Sequence, residues 1–227
     1  MEELIKGILI GEKKNRFLCD VLIEGKQEEC YISSSCRLDN FFDTNHCEVL
    51  LRPTQNTKAR TKYAVYAIKS NDNYILVDLR ETNKIIASHI EEDCFSFLGE
   101  RKLIQKEKNI EGYKADLYLE ETKTIIEIKS IISNENNVKF PQIRSDRAIM
   151  QLNRLEELIQ RGYRVCYLFV SLCPEVNVIE LNEQYEDYCT YYRSCVRQGM
   201  LSRSYSIGIN STTNANGINK ELEVVIN

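Results

Sequence analysis

The stretch from Gly112 to Lys129 constrains the chain most. It reads Gly-Tyr-Lys-Ala-Asp-Leu-Tyr-Leu, a polar break at Glu120–Lys123, then Thr-Ile-Ile-Glu-Ile-Lys. Two runs rich in β-branched and aromatic residues around a polar break signal a β-hairpin. Side chains alternate faces along a strand, so Asp116 and Tyr118 share a face, as do Glu127 and Lys129. A two-residue loop at Glu121-Thr122 and a four-residue loop at Glu120–Lys123 give the same pairing. In it Asp116 lies across from Glu127, with Cβ atoms about 5 Å apart. An odd-length, bulged loop would shift the register by one and separate them. Two facing carboxylates repel, so a purely structural hairpin has little reason to pair them. A divalent cation removes the objection, because Mg²⁺ is held by one or two carboxylates, waters and substrate phosphate. Lys129 points into the same space, where it could hold an attacking water or neutralise developing charge. The plain alternative is a solvated hairpin with ordinary surface charges.

A chain of 227 residues suits one large domain or two small ones. No run approaches the length of uncharged apolar sequence that a membrane helix needs. The acidic start Met1-Glu2-Glu3-Leu4-Ile5-Lys6 lacks a signal-peptide layout, which predicts a cytoplasmic protein with no membrane partner. The nine cysteines are odd in number and contain no C-x-x-C pair, so reduced, buried thiols are expected. With only His46 and His89 as histidines, zinc is not expected either. A net charge of −4 argues mildly against nucleic acid as partner, but the mean hides the distribution. From Arg52 to Lys69 the chain carries Arg52, Lys58, Arg60, Lys62 and Lys69 and no acidic residue. Phosphate backbones need such a local basic patch; a solvated loop is the alternative.

Taken in order, Phe17–Ile23, Glu29–Ile32, Cys47–Arg52, Tyr63–Ile68 and Tyr74–Val77 read as five short strands with no helix pattern between them. That predicts a small barrel over residues 1–80. Thr82 or Asn83 can cap a helix striped by Ile85, Ile86, His89 and Ile90. A strand at Leu103–Gln105 and the hairpin follow. Ser145 or Asp146 opens a helix with Ile149, Leu152, Leu155, Leu158 and Ile159 at helical spacing, ended by Gly162. Arg144 lies near its start, and Arg147 and Gln151 share a face of it. Val165–Val170 reads as a strand buried on both faces. A helix over Glu183–Gln198 carries a tyrosine stripe, Tyr185, Tyr188 and Tyr192, read as core, and Tyr205–Ile209 is a last core strand. The fold class is therefore mixed α+β: the barrel, then an α/β domain over 81–210 with a mixed central sheet flanked by helices. Residues 211–227 read as a flexible tail with a small strand at Leu222–Ile226.

At this point the chain resembles the sugar fermentation stimulation proteins. The resemblance is carried by Arg16-Phe17, Arg60-Thr61-Lys62-Tyr63, Asp116 with Glu127-Ile128-Lys129, Phe140-Pro141, Ser145-Asp146-Arg147, Leu152-Asn153-Arg154-Leu155 and Gly162-Tyr163-Arg164. It implies an N-terminal barrel of the oligonucleotide-binding (OB) type and a C-terminal domain of the PD-(D/E)xK nuclease kind. By that resemblance Asp116 and Glu127 bind Mg²⁺ or Mn²⁺, Lys129 is the catalytic lysine, and Arg147 and Gln151 approach the scissile phosphate. Nucleic acid, DNA ahead of RNA, is the implied partner. Arg16, Arg37, Lys58, Arg60, Lys62, Arg144 and Arg147 are the candidate contacts, and a homodimer is allowed. Three departures stand out. The family's proline-asparagine-threonine-glycine-arginine stretch reads Ser33-Ser34-Ser35-Cys36-Arg37. Ser88 stands where the first helix usually offers a glutamate, and Gln151 where a helix histidine is usual. The implied activity is metal-dependent phosphodiester hydrolysis; the alternative is a DNA-binding regulatory protein that does not cleave.

Overall fold

A computed structural model describes residues 4–15, 17–33, 38, 46–54, 58–70, 73–209 and 216–226. Six strands open it: β1 (Ile5–Glu12), β2 (Leu18–Ile23), β3 (Lys26–Ile32), β4 (Glu48–Pro53), β5 (Tyr63–Ser70) and β6 (Asn73–Leu76). They run in the order β3-β2-β1-β4-β5, and β3 closes on β5 in parallel. The result is a closed five-stranded barrel with β6 appended to β5. The barrel class agrees with the sequence; its membership does not. Sequence reading overlooked β1 and counted β6 as a barrel stave. The cause is local. Gly7 interrupts the apolar run of β1, and the register slips between Leu9 and Gly11, so neither a clean alternation nor a strand-like composition survives. Gly7 is required there, since a Cβ would sit 2.6 Å from Val21 Cγ1. Leu9, Val21, Cys30, Ile32, Val49, Leu51 and Val65 fill the interior.

The second unit begins with α1 (Arg80–His89) and a 3-10 turn at Asp93–Leu98. Then come β7 (Ile104–Lys106), the small antiparallel pair β8 (Asn109–Ile110) and β9 (Tyr113–Lys114), β10 (Leu117–Leu119) and β11 (Thr124–Ile131). They are followed by β12 (Asn137–Phe140), α2 (Asp146–Gln160), β13 (Arg164–Ser171), β14 (Val178–Leu181) and α3 (Glu186–Arg197). The last elements are β15 (Leu201–Ile209), β16 (Asn216–Glu221) and β17 (Glu223–Val225). The main sheet has the order β16-β15-β13-β11-β10-β7. Its centre, β11, β13 and β15, is parallel, and its flanks are antiparallel. β12, β14 and β17 form a small parallel sheet beside it. This is the mixed sheet expected, built as helix-crossover chemistry demands: β11 can lie parallel to β13 only if the chain returns through a long connection, and α2 lies within it.

Two details correct the sequence reading. Asn83 and Thr82 do not cap α1 but lie inside it. Leu79 stands at the N-cap with no side-chain cap bond, and Asp78 just before it accepts from the Arg80 N–H through Oδ1 at 3.3 Å. In the supposed tail β17 falls within the strand expected at Leu222–Ile226, but β16 is ordered where flexible chain was expected, because Leu222 is buried and Ile218 packs on the core; residues 211–215 lie outside the described residues. The N-cap of α2 is as expected, with Ser145 Oγ accepting from Ala148 N–H at 3.2 Å. The tyrosine stripe is core. Tyr188 and Tyr192 are buried against Tyr167, Phe169 and Phe140. Cys19, Cys30, Cys166, Cys173, Cys189 and Cys195 are buried free thiols. No helix among the described residues is long and apolar enough to cross a membrane.

α2 buries Leu152, Leu155 and Leu158 while Met150 remains 72% exposed. Leu152→Ala is therefore expected to lower stability by about 2–5 kcal/mol. Met150→Ala on the same helix should stay within about 0.5 kcal/mol. Urea unfolding of both variants distinguishes packing from helix propensity as the source of α2 stability.

A candidate metal and phosphate site at the hairpin

Leu117 pairs with Ile126, Tyr118 with Ile125 and Leu119 with Thr124. The loop is thus Glu120–Lys123, closed by Lys123 in the left-handed region at φ 49°. One step further along this register Asp116 faces Glu127. Asp116 lies just before β10, and its Oδ2 accepts from the Ile128 N–H of the partner strand at 2.8 Å. Its Oδ1 accepts from Asn83 Nδ2 of α1 at 2.9 Å. Glu127 is buried. Its Oε2 accepts from the Tyr113 hydroxyl, and its Oε1 from Lys129 Nζ at 2.7 Å. Lys129 also donates to Gln151 Oε1 of α2 at 2.7 Å and lies 5.6 Å from the centre of the Tyr167 ring. Hairpin, α1 and α2 thereby converge on one cluster.

Electrostatics record the crowding. Burial, and then the Glu127 charge, push the Asp116 carboxyl up to about 6. Burial, then Glu127, holds the Tyr113 hydroxyl far above its usual range, so it remains a donor. A half-buried lysine beside a buried glutamate offsets one negative charge, and Asp116 is left with neutral donors only. Each carboxylate oxygen accepts one bond from the protein, and an ionised carboxylate offers roughly four lone-pair sites. Both side chains therefore keep capacity for a hard cation, and oxygen donors of this kind suit Mg²⁺ or Mn²⁺. Among the described residues no group of three or more His, Cys, Asp or Glu side chains gathers as metal ligands, so water or substrate oxygens would complete the sphere.

The structure brings together Asp116, Glu127, Lys129 and Gln151. Arg147 is exposed one turn before Gln151, and its charge reaches Tyr113. Arg144 is tied to Asp146 at 3.2 Å and to Asp187 at 3.5 Å. In the barrel, Arg60 pairs with Glu29 at 2.8 Å and Lys62 with Glu28 at 3.8 Å. Lys58 is placed on the loop before β5; Arg16 and Arg37 lie outside the described residues. Sequence reasoning missed Asn83 and Tyr113. It looked for the contribution of α1 at Ser88, but the Ser88 hydroxyl donates to the Ile85 carbonyl at 2.8 Å. Asn83 carries no signal of its own, since nothing local says that α1 crosses the hairpin. Tyr113 could have been found, because β9 leads directly into Asp116.

Comparison with known proteins gives the same partition of the chain. Residues 12–77 match the family described as the SfsA N-terminal OB domain, and residues 80–213 the sugar fermentation stimulation protein RE domain. A sugar fermentation stimulation protein homolog of Clostridium beijerinckii is 29% identical over 182 residues, covering 79% of each chain. One from Ruminiclostridium cellulolyticum is 25% identical over 200 residues, covering 86% of each. The fold superposes with a TM-score of 0.85 and 20% identity on the structure of Pyrococcus furiosus SfsA in complex with Ca²⁺, covering 100% of this chain and 98% of that one. With two adjoining family matches spanning most of its length, the chain belongs to the sugar fermentation stimulation protein family.

Proposed function

We propose that the protein hydrolyses phosphodiester bonds in nucleic acid, using Mg²⁺ or Mn²⁺ held by Asp116 and Glu127. The observation that carries this reading is the facing carboxylate pair with Lys129 bonded to one member of it. A relative whose structure holds Ca²⁺ supports a hard divalent cation in this fold. When bound, the cation supplies activation of water and neutralisation of phosphate charge. The protein's own groups do the positioning. Ile128 N–H and Asn83 orient Asp116; Tyr113 and Lys129 fix both oxygens of Glu127. An ammonium has three donors, and Lys129 spends two on Glu127 and Gln151. Its third is available for a water or a phosphate oxygen. Gln151 holds the ammonium from the side of α2, and Arg147 supplies a further positive charge at the rim.

A second reading, binding without cleavage, is favoured by one observation: α1 meets the pair with the neutral amide of Asn83 rather than an acid. Incubation with single- and double-stranded DNA and RNA plus Mn²⁺ separates the two. Under the first reading cleavage is metal-dependent. Lys129→Met should lower it about a hundredfold, as loss of a donor to a developing charge does, and Glu127→Ala should abolish it. Cleavage that persists unchanged in Glu127→Ala would sink that reading, whereas binding with no cleavage by the unaltered protein would favour the second.

The raised Asp116 carboxyl gives a metal test that needs no substrate. Its folded-state value lies above the unfolded one. Without a cation its contribution to stability is therefore present at low pH and lost as pH rises through about 6. A cation between the carboxylates offsets that loss. The Tm gain on adding Mn²⁺ should accordingly be larger above this range than below it, and should shrink in Glu127→Gln. Equal gains at both ends of the range would count against the site.

A further inference from the structure

The turn between β8 and β9 is held from outside by the end of α2. Ile110 pairs with Tyr113, so the loop between them is Glu111-Gly112 alone. Both residues take positive φ, 48° and 87°, as the two-residue turn that matches strand twist requires. Asn109 Oδ1 accepts from the Gly112 N–H at 2.8 Å and closes the turn from within. The β2–β3 turn is built alike, with Glu24 at φ 48° before Gly25 at 79°. There the glutamate is exposed and carries no ion pair among the described residues. The turn by itself therefore asks nothing of the carboxylate.

Glu111 is different, because three bonds reach it. Its Oε2 accepts from Arg161 Nη1 at 2.5 Å and its Oε1 from the Tyr163 hydroxyl at 3.1 Å. Its backbone carbonyl accepts from Arg154 Nη2 at 2.5 Å. Arg154 lies on α2 and Arg161 caps its end, at a spacing that puts both on one face. The Arg161 bond holds the Glu111 carboxyl below its usual range, so the group is charged at neutral pH. Just past the turn stands buried Tyr113, whose hydroxyl donates to Glu127 Oε2. One turn before Arg154, Gln151 holds Lys129. The same helix thus secures both donors of Glu127, Lys129 through Gln151 and Tyr113 through the turn.

We infer that Glu111 is a positioning residue for the hairpin site: it clamps the β8–β9 turn to the end of α2 and so keeps the Tyr113 hydroxyl on Glu127, holding that carboxylate in the orientation that meets the cation. The inference rests on the reading of Glu127 as a cation ligand. Exposed ion pairs contribute little to overall stability, so the clamp sets direction rather than the strength of the fold. Contacts that orient a ligand from behind carry about ten- to a hundredfold in metal affinity.

Glu111→Gly separates positioning from folding. Glycine takes a left-handed turn position without steric cost, so the turn remains and only the clamp is lost. The Tm of this variant should match that of the unaltered protein. In EDTA, amide hydrogen exchange read by mass spectrometry should rise over residues 110–115 and stay unchanged in β13. Mn²⁺ affinity, read by calorimetry, should fall about tenfold. Tyr113→Phe should cost as much. Both changes together should cost no more than either alone, because groups that act through one contact are not additive. Unchanged exchange or affinity, additive losses in the double variant, or a Tm that falls along with affinity would each overturn the inference. An unaltered protein that binds no Mn²⁺ would count against the cation reading instead, and the exchange measurement, which needs no cation, would still decide the clamp.

Discussion

Asp116 and Glu127 face each other across one rung of an antiparallel ladder, in surroundings that water screens poorly. Like charges at that separation cost free energy on a scale that rises steeply as the local dielectric falls. The structure answers with four directed donors from three directions. Ile128 N–H comes from the partner strand, Asn83 from α1, Tyr113 from β9 and Lys129 from the same face of β11. None of these is a surplus contact. Each carboxylate oxygen receives one, and the arrangement stops short of cancelling both charges. What remains is a pair of carboxylates held in fixed orientation with lone pairs still open, the state in which the proposed cation would meet it.

The sheet makes this possible. β11 is paired on both sides, antiparallel to β10 and parallel to β13, so its backbone cannot drift when the carboxylates repel. The parallel neighbour also dictates the connection. A long crossover must leave β11 and return to β13, and α2 within it puts Gln151 against Lys129. Behind the lysine, Tyr167 of β13 donates to or accepts from Tyr188 of α3 at 2.9 Å, and an aromatic layer closes the back of the site. Its hydrophobic packing and the polar cluster are therefore two faces of the same strands.

How much of this could be read from residues alone follows a physical line. The Asp116–Glu127 pairing was legible because any even-length loop centred on Glu121-Thr122 enforces it, and because strand alternation puts Lys129 beside Glu127. α2 was legible from its apolar spacing and Ser145. Partners from distant segments were not. Asn83 reaches Asp116 across 33 positions, and no local pattern reports that. The basic run from Arg52 to Lys69 likewise meets partners that no local pattern reports. Within the segment there is no acid, yet Glu28, Glu29 and Glu81 arrive from β3 and α1 to pair with Lys62, Arg60 and Arg52. Local charge counts describe a segment; the barrel decides which charges meet. β1 was lost for a different reason, since the glycine that lets it approach β2 also erases its strand signature.

α1 is only ten residues long, yet consecutive residues of it serve two neighbourhoods. Asn83 touches the hairpin carboxylate and Lys84 lines a cavity at the barrel. Each residue of an α-helix advances the side-chain direction by about 100°. Because the two positions are consecutive, that angle separates their two targets whatever precedes them. A residue inserted in α1 ahead of both would turn both side chains together, so the hairpin and the barrel would lose their contacts with the helix at once.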